Sequence, residues 1–155
     1  MNRVLWGVLS GCLLVAPLSL GASVDVERIV AQNLGAVVVI HGTRDGDGAP
    51  VQGSGCVIHP DGYILATAHQ AVGVGRLEAK FSDGAVVKLR TVAVEPDVEF
   101  SLFKAERPLP KWVTIGDAGG LRGGAPLISI ASPISLEFIT VSGTVASPDK
   151  TYDGY

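Results

Sequence analysis

Residues 53–69, GSGCVIHPDGYILATAH, are the stretch of sequence that decides the fold. Two short apolar runs, 53–58 and 63–67, flank Pro60-Asp61-Gly62, a tripeptide typical of a tight turn. Runs of this length on either side of a turn predict two neighbouring strands. His69 follows the second run at once, so the pattern places a histidine at the end of a predicted strand.

Short strands are predicted over most of the remaining chain. Alternating or continuous apolar runs, bounded by Gly, Pro and Asp, predict strands at 36–41, 77–81, 85–94, 100–104, 125–131 and 137–146. Apolar residues at helical spacing predict one short helix at 24–33, and the polar, Gly-rich stretch 42–52 is predicted to be a loop. Many short strands separated by turn signals are typical of an all-β barrel or sandwich.

The composition is globular and gives no sign of a nucleic-acid surface. The 155 residues are 47% hydrophobic and 17% charged, with a formal net charge of −3. Acidic and basic residues are interspersed and form no basic stripe, so nucleic acid is not an expected partner. Three scattered histidines and two cysteines do not have the spacing of zinc ligands, and no metal or cofactor is expected.

Residues 1–22 are predicted to be a secretory signal peptide. Arg3 supplies the positive charge, 4–16 form the apolar stretch, and small residues follow where cleavage is expected. The apolar run is shorter than the roughly 20 residues of a membrane-spanning helix, so no stable membrane insertion is expected after cleavage. An uncleaved anchor and lipidation at Cys12 remain open alternatives.

Cys56 is predicted to be the only cysteine of the mature chain, which then has no internal disulfide. An exported domain without disulfides fits a bacterial periplasm better than a eukaryotic extracellular space. Within its predicted strand, Cys56 is expected to be a buried, inert thiol.

Three segments in order resemble those of trypsin-like serine proteases, above all the bacterial HtrA/Deg group. They are the strand–turn–strand–histidine segment 53–69, the acidic residue and strand at 99–104, and the stretch 115–145, which includes Thr140-Val141-Ser142-Gly143-Thr144-Val145. The resemblance implies a double β-barrel. It would comprise an N-terminal arm at 23–35, a complete first barrel at 36–108 and a truncated second barrel at 109–155.

The resemblance implies that His69 is the catalytic histidine and that Glu99, where the group usually has Asp, is its acidic partner. A serine hydroxyl needs an adjacent base, and histidine, with an ordinary pKa of about 6.5, suits that task. A buried carboxylate on the other ring nitrogen would fix the tautomer. Asp97 is a rival for the acid, because it is predicted to share a strand face with Glu99. His41 and His59 lack this context and are interpreted as structural.

The nucleophile of the resembled group lies in a Gly-x-Ser-Gly-Gly loop, which does not occur in these 155 residues. Ser54 precedes the histidine and cannot replace it, and Ser101 follows the acid and is also out of place. The chain is therefore expected to be a fragment of a longer product, or else a truncated protein, and to be inactive by itself.

Three functions are compatible with the sequence. The first is an exported serine endopeptidase, periplasmic or extracellular, that acts on polypeptides and, as the resemblance implies, can form homo-oligomers. The second is an inactive relative that binds peptides or a partner protein through a sheet edge. The third is an unrelated all-β barrel for carbohydrate or another ligand, in which His69 is incidental.

Overall fold

The computed structural model of the protein describes residues 25–133 and 136–147. The predicted signal peptide, with Cys12, lies outside these residues. One helix, α1 (Val26–Asn33), precedes eight strands: β1 (Val37–Arg44), β2 (Pro50–His59), β3 (Tyr63–Ala66), β4 (Val74–Phe81), β5 (Val86–Glu95), β6 (Phe100–Ala105), β7 (Pro126–Ala131) and β8 (Ile139–Thr144). Within the described part of the chain, no helix has the length and apolar character needed to cross a bilayer.

Six of the strands close into a barrel in the order β1-β2-β3-β6-β5-β4. Every pairing is antiparallel, and β1 closes the ring because it pairs with β2 on one side and with β4 on the other. Strands β7 and β8 form a separate two-stranded antiparallel sheet. The prediction of an all-β fold built around a β-barrel is therefore confirmed.

The barrel interior is filled by alternate residues of its strands, as the period of two in a strand requires. Five of the residues that have no exposed surface are Val38 and Ile40, two positions apart on β1, and Val57, Ile64 and Phe103 on β2, β3 and β6. Burying side chains of this size removes apolar surface from water and supplies the main driving force for folding.

The Gly-Ser-Gly at the middle of β2 has a packing reason. Gly53 and Gly55 both face inward, and Ser54 lies between them. A Cβ at Gly55 would lie 2.8 Å from Ile40 Cδ1 and 2.9 Å from Ile64 Cγ2, and a Cβ at Gly53 would collide with the Gln70 amide. Glycine in a strand interior often marks such a close approach of a neighbour.

The predicted loop at 42–52 is wrong in extent, because it is longer than the loop in the structure. Strand β1 continues to Arg44 and β2 begins at Pro50, so only 45–49 connect them. Gly42 pairs with Val51 and Leu77, and main-chain pairing of this kind does not depend on apolar side chains. Apart from the buried Val51, these strand ends consist of glycine, proline and polar residues, so they gave little apolar signal in the sequence. Strand β8, at Ile139–Thr144, is shorter than the predicted strand 137–146.

Polar contacts attach the segment before β8 to the outside of the barrel. Lys80 Nζ on β4 donates to both carboxylate oxygens of Glu137, at 3.0 and 2.8 Å. The Ser132 main-chain N–H donates to Ser54 Oγ on β2 at 2.7 Å, and Ser132 is fully buried. These bonds tie the connection between β7 and β8 to β2 and β4.

Candidate active site

A single 3-10 turn, Ala68–Gln70, follows β3 and carries His69. The Gln70 N–H donates to the Thr67 carbonyl at 3.2 Å, and the Ala71 N–H donates to the Ala68 carbonyl at 2.9 Å. Ala68 and Gln70 are buried, whereas the imidazole of His69 is exposed. The turn thus anchors itself in the barrel through its neighbours and leaves the histidine ring outside.

A second 3-10 turn, Pro96–Val98, joins β5 to β6 and ends at Glu99. Glu99 has φ 53° and ψ 43°, the left-handed region that non-glycine residues rarely adopt. Such conformations are costly and concentrate at functional sites. Glu99 is one of two non-glycine residues with positive φ among the described residues, the other being Phe138, so this conformation supports a functional role only together with the contact that Glu99 makes.

The two turns bring His69 and Glu99 together. Nδ1 of His69 lies 2.8 Å from Oε1 of Glu99, and the His69 main-chain N–H donates a longer bond of 3.4 Å to the same oxygen. The hydrogen bond from the His69 side chain, followed by that from its main chain, lowers the pKa of the Glu99 carboxyl below its ordinary value. Glu99 is therefore ionised at neutral pH and accepts a hydrogen bond from the protonated Nδ1 of His69.

The carboxylate is exposed, contrary to the expectation of a buried one. Side-chain exposure is 65% for His69 and 58% for Glu99, because both lie on turns at the rim of the barrel. A contact this open to water is weakened by solvent and salt. The short distance between the two side chains identifies the site, whereas the contact contributes little to stability.

Asp97 does not share this contact. The expectation that it lies on the same strand face as Glu99 is wrong, because Pro96–Val98 is a 3-10 turn and not part of a strand. Asp97 is exposed, and no hydrogen bond joins it to His69 within residues 25–133 and 136–147.

On the other side of the ring, Thr67 contacts the imidazole, and two further residues that the sequence did not assign to the site contact Thr67. Thr67 Oγ1 lies 3.3 Å from Nε2 of His69. Gln70 Nε2 donates to Thr67 Oγ1 at 2.8 Å, and the fully buried Ser101 donates from Oγ to the Thr67 carbonyl at 2.9 Å. The available signal was indirect: an inward glycine, Gly53, leaves room for a buried polar side chain.

The remaining histidines and the cysteine lie away from the His69–Glu99 pair. His41 on β1 has Nε2 3.9 Å from Glu137 Oε1, and Nδ1 of the exposed His59 accepts from the Asp61 N–H at 3.2 Å. Cys56 is partly rather than fully buried, and burial raises the pKa of its thiol. A raised pKa disfavours the reactive thiolate, in keeping with an inert cysteine.

Solved structures similar to this one include HtrA-type proteases. One, titled "HtrA-type protease AlgW with tripeptide", matches with a TM-score of 0.74 at 20% identity, over 79% of this chain and 40% of that chain. A second, with a decapeptide, has a TM-score of 0.70 at 17% identity, over 80% of this chain and 46% of that chain. The fold is therefore that of a trypsin-like, HtrA-type protease, with a complete first barrel and part of a second.

Comparisons of sequence lead to the same class. A protein of Halomonas elongata named "Probable periplasmic serine endoprotease DegP-like" is 28% identical over 99 residues, which are 64% of this chain and 21% of the relative. Serine protease HTRA1 of Xenopus tropicalis is 31% identical over 100 residues, 63% of this chain and 22% of the relative. The trypsin-like peptidase domain family matches residues 53–155. The chain belongs to this family, and it spans about a fifth of the length of these relatives.

Proposed function

We propose that this chain is the histidine- and acid-bearing part of an exported trypsin-like serine endopeptidase. His69 is its general base and Glu99 orients the imidazole. The observation that supports these roles is the 2.8 Å contact between Nδ1 of His69 and Oε1 of Glu99. A carboxylate on Nδ1 leaves the lone pair on Nε2, where the base must accept a proton.

Each residue has a defined task in peptide-bond hydrolysis. His69 takes the proton of the nucleophilic serine hydroxyl as the hydroxyl attacks the scissile carbonyl, and later returns it to the leaving amine. Glu99 stabilises the imidazolium that exists between these steps. The serine is supplied by sequence other than these 155 residues, in which no Gly-x-Ser-Gly-Gly occurs.

The proposed substrates are polypeptides, and the proposed location is the bacterial periplasm. Two similar structures hold a tripeptide and a decapeptide, and two of the similar proteins are named periplasmic endoproteases. The apolar segment at 4–16, preceded by Arg3, has the composition of an export signal.

An inactive peptide-binding relative is the second candidate. The Glu in place of the group's usual Asp, together with the 58% exposure of its side chain, favours this candidate. The short contact with Nδ1 favours the enzyme, because a binding module does not need a carboxylate aligned on a histidine ring.

The full-length product should decide between the two. A fluorophosphonate probe labels it covalently if an activated serine is present, and His69→Ala should abolish labelling. Glu99→Gln should slow labelling by about 10⁴-fold, the order seen when the acid of such a triad becomes an amide. His59→Ala, a change at an exposed histidine away from the site, is the matched control and should label at the wild-type rate. Labelling that survives His69→Ala would remove the proposed base.

A further inference from the structure

The His69 ring has hydrogen-bonding partners at both of its nitrogens. Glu99 Oε1 is 2.8 Å from Nδ1, and Thr67 Oγ1 is 3.3 Å from Nε2. The second contact lies at the nitrogen that must accept the proton in catalysis. What Thr67 does there depends on where its hydroxyl proton points, and the neighbours of Thr67 determine that direction.

The Gln70 amide is oriented by a carbonyl of β2. Its Nε2 lies 3.3 Å from the main-chain oxygen of Ser54 and 2.8 Å from Thr67 Oγ1, and only 3% of Gln70 is exposed. A carbonyl oxygen can only accept, so the amide nitrogen must face it. The reversed amide would set its oxygen against the Ser54 oxygen. With the amide nitrogen facing Ser54, Oε1 of Gln70 has no hydrogen-bond partner among the described residues.

Both amide hydrogens of Gln70 are thereby used, one on Ser54 and one on Thr67. The Thr67 oxygen therefore receives a hydrogen, and its own proton is available for Nε2 of His69. At the other end, an ionised Glu99 can only accept, so Nδ1 must carry the ring proton. The two ends of the chain of hydrogen bonds select the same neutral tautomer, with the proton on Nδ1 and the lone pair on Nε2.

We propose that Thr67 is a positioning residue, oriented by Gln70, that holds His69 in its base-competent tautomer by donating to Nε2. The Thr67 hydroxyl contacts Nε2, the same nitrogen that must later accept the nucleophile's proton. When the serine hydroxyl donates to Nε2 during catalysis, Thr67 gives up its own hydrogen bond to that nitrogen, and no covalent bond of Thr67 forms or breaks. The catalytic role of Thr67 rests on the proposed function, whereas its effect on the tautomer of His69 does not.

The residues around Thr67 are packed to hold this arrangement. The fully buried Ser101 on β6 donates to the Thr67 carbonyl at 2.9 Å and so fixes its main chain. On the opposite side, Gly53 on β2 leaves the space that the Gln70 amide occupies, which a Cβ would invade. The hydrogen-bonded series Gln70–Thr67–His69, called the Thr67 relay below, is thus anchored on two strands of the barrel.

The test is ¹⁵N NMR of the full 155-residue chain with labelled histidine, at a pH well above the ordinary histidine pKa of about 6.5. His69→Gln identifies the His69 signals by their loss. Wild type should show a protonated Nδ1 and an unprotonated, hydrogen-bonded Nε2. Thr67→Val should move the Nε2 shift toward that of a nitrogen accepting no hydrogen bond and raise the share of the other tautomer. Thr67→Ser, which keeps the hydroxyl, should restore the wild-type shifts.

A second variant tests the Gln70 link and covers the case in which Thr67→Val does not fold. Gln70→Met removes the amide that orients the hydroxyl and should shift Nε2 in the same direction by a smaller amount. Wild-type ring shifts in either variant, with a dispersed amide spectrum as evidence of folding, would overturn the proposal. So would a Thr67→Ser chain with the shifts of Thr67→Val, because the hydroxyl would then be irrelevant.

The ring measurement is independent of peptide hydrolysis. A full-length product that never reacts with a fluorophosphonate would overturn the endopeptidase and leave the Thr67 relay supported by its NMR signature. Conversely, unchanged ring shifts in Thr67→Val would overturn the relay while labelling of the full-length product still supported the enzyme.

Discussion

Glu99 reaches the His69 ring from a left-handed backbone conformation. Its side chain is one methylene longer than that of Asp, a difference of about 1.5 Å in reach, yet the contact with Nδ1 is 2.8 Å. The order of motifs in the sequence predicted the two residues, and the structure brings them into contact, while their catalytic roles stay predictions. The choice between Glu99 and Asp97 could not be made from spacing, because it depends on a turn that the alternation rule treats as strand.

The imidazole of His69 should be the main reason that the pKa of the Glu99 carboxyl lies below its ordinary value. His69→Ala removes the ring and its hydrogen bond, the largest cause of the lowered pKa. The pKa of Glu99 should therefore rise toward its ordinary value in that variant. Carbonyl ¹³C NMR between about pH 2 and 7 measures it, and the Glu27 carboxyl in α1 serves as an internal control.

The sign of the associated pH dependence follows from the lowered pKa. A carboxyl whose pKa is lower in the folded state stabilises the fold above its unfolded pKa, and this contribution is lost as the pH falls through the folded pKa. The difference in urea midpoint between wild type and His69→Ala should therefore shrink in acid. An equal difference at all pH values would contradict the assignment of the shift to His69.

Strands were predicted well where their side chains alternate between the barrel interior and water, as in β6, where Ser101, Phe103 and Ala105 are buried. They were missed at the ends of β1 and β2, where main-chain pairing continues between residues that show no apolar alternation, such as Gly42 with Val51 and Thr43 with Pro50. Turns such as Pro96–Val98 and contacts between distant elements, such as Lys80 with Glu137, depend on tertiary packing. Periodicity in a single sequence carries no information about them.

Gly55→Ala should destabilise the barrel by about 1–3 kcal/mol, because the new methyl group overpacks a full interior. Its Cβ would meet Ile40 and Ile64 at 2.8 and 2.9 Å, in contacts that the surrounding core leaves little room to relieve. Gly143→Ala on β8, where a Cβ meets nothing within 4 Å, is the matched control. Urea unfolding of both variants compares them, and equal free energies of unfolding would contradict the packing explanation for Gly-Ser-Gly.

The Lys80–Glu137 ion pair should contribute modestly to stability and more clearly to the attachment of β8. Its side chains are 37% and 34% exposed, so the coupling measured with Lys80→Met, Glu137→Gln and the double variant should be about 0.2–1 kcal/mol. Amide exchange in β8 should speed up in Glu137→Gln, and salt should reduce the effect. Lys88→Met, at an exposed lysine of β5, is the control and should leave exchange in β8 unchanged.

At the scale of the whole molecule, the barrel is closed by long-range antiparallel pairing around one apolar interior. The alternation of residues predicted strands but not their order, and the barrel with its strand ring was expected from the family resemblance. The pairing of β1 with β4, which closes the ring, joins strands that are about 30 residues apart in the chain. No local rule of sequence specifies that closure.

Phe103→Ala should cost about 3–5 kcal/mol of the free energy of unfolding, the range for a fully buried aromatic residue. Phe103 is 0% exposed at the centre of β6, and its loss leaves a cavity inside a closed ring. Leu102→Ala, one residue earlier on the half-buried face, should cost distinctly less. Denaturant unfolding measures both, and a smaller loss for Phe103→Ala than for Leu102→Ala would place the core elsewhere.

The closure of the six-stranded barrel also limits where a peptide could bind by adding a strand. An extended ligand that lengthens a sheet needs a strand whose outward amides and carbonyls are unused, and all six barrel strands have neighbours on both sides. Among the described strands, β7 and β8 are the two that each have one whole edge without a neighbouring strand. A screen for strand-adding peptides should therefore perturb backbone amides of Pro126–Ala131 or Ile139–Thr144 and leave those of the barrel silent.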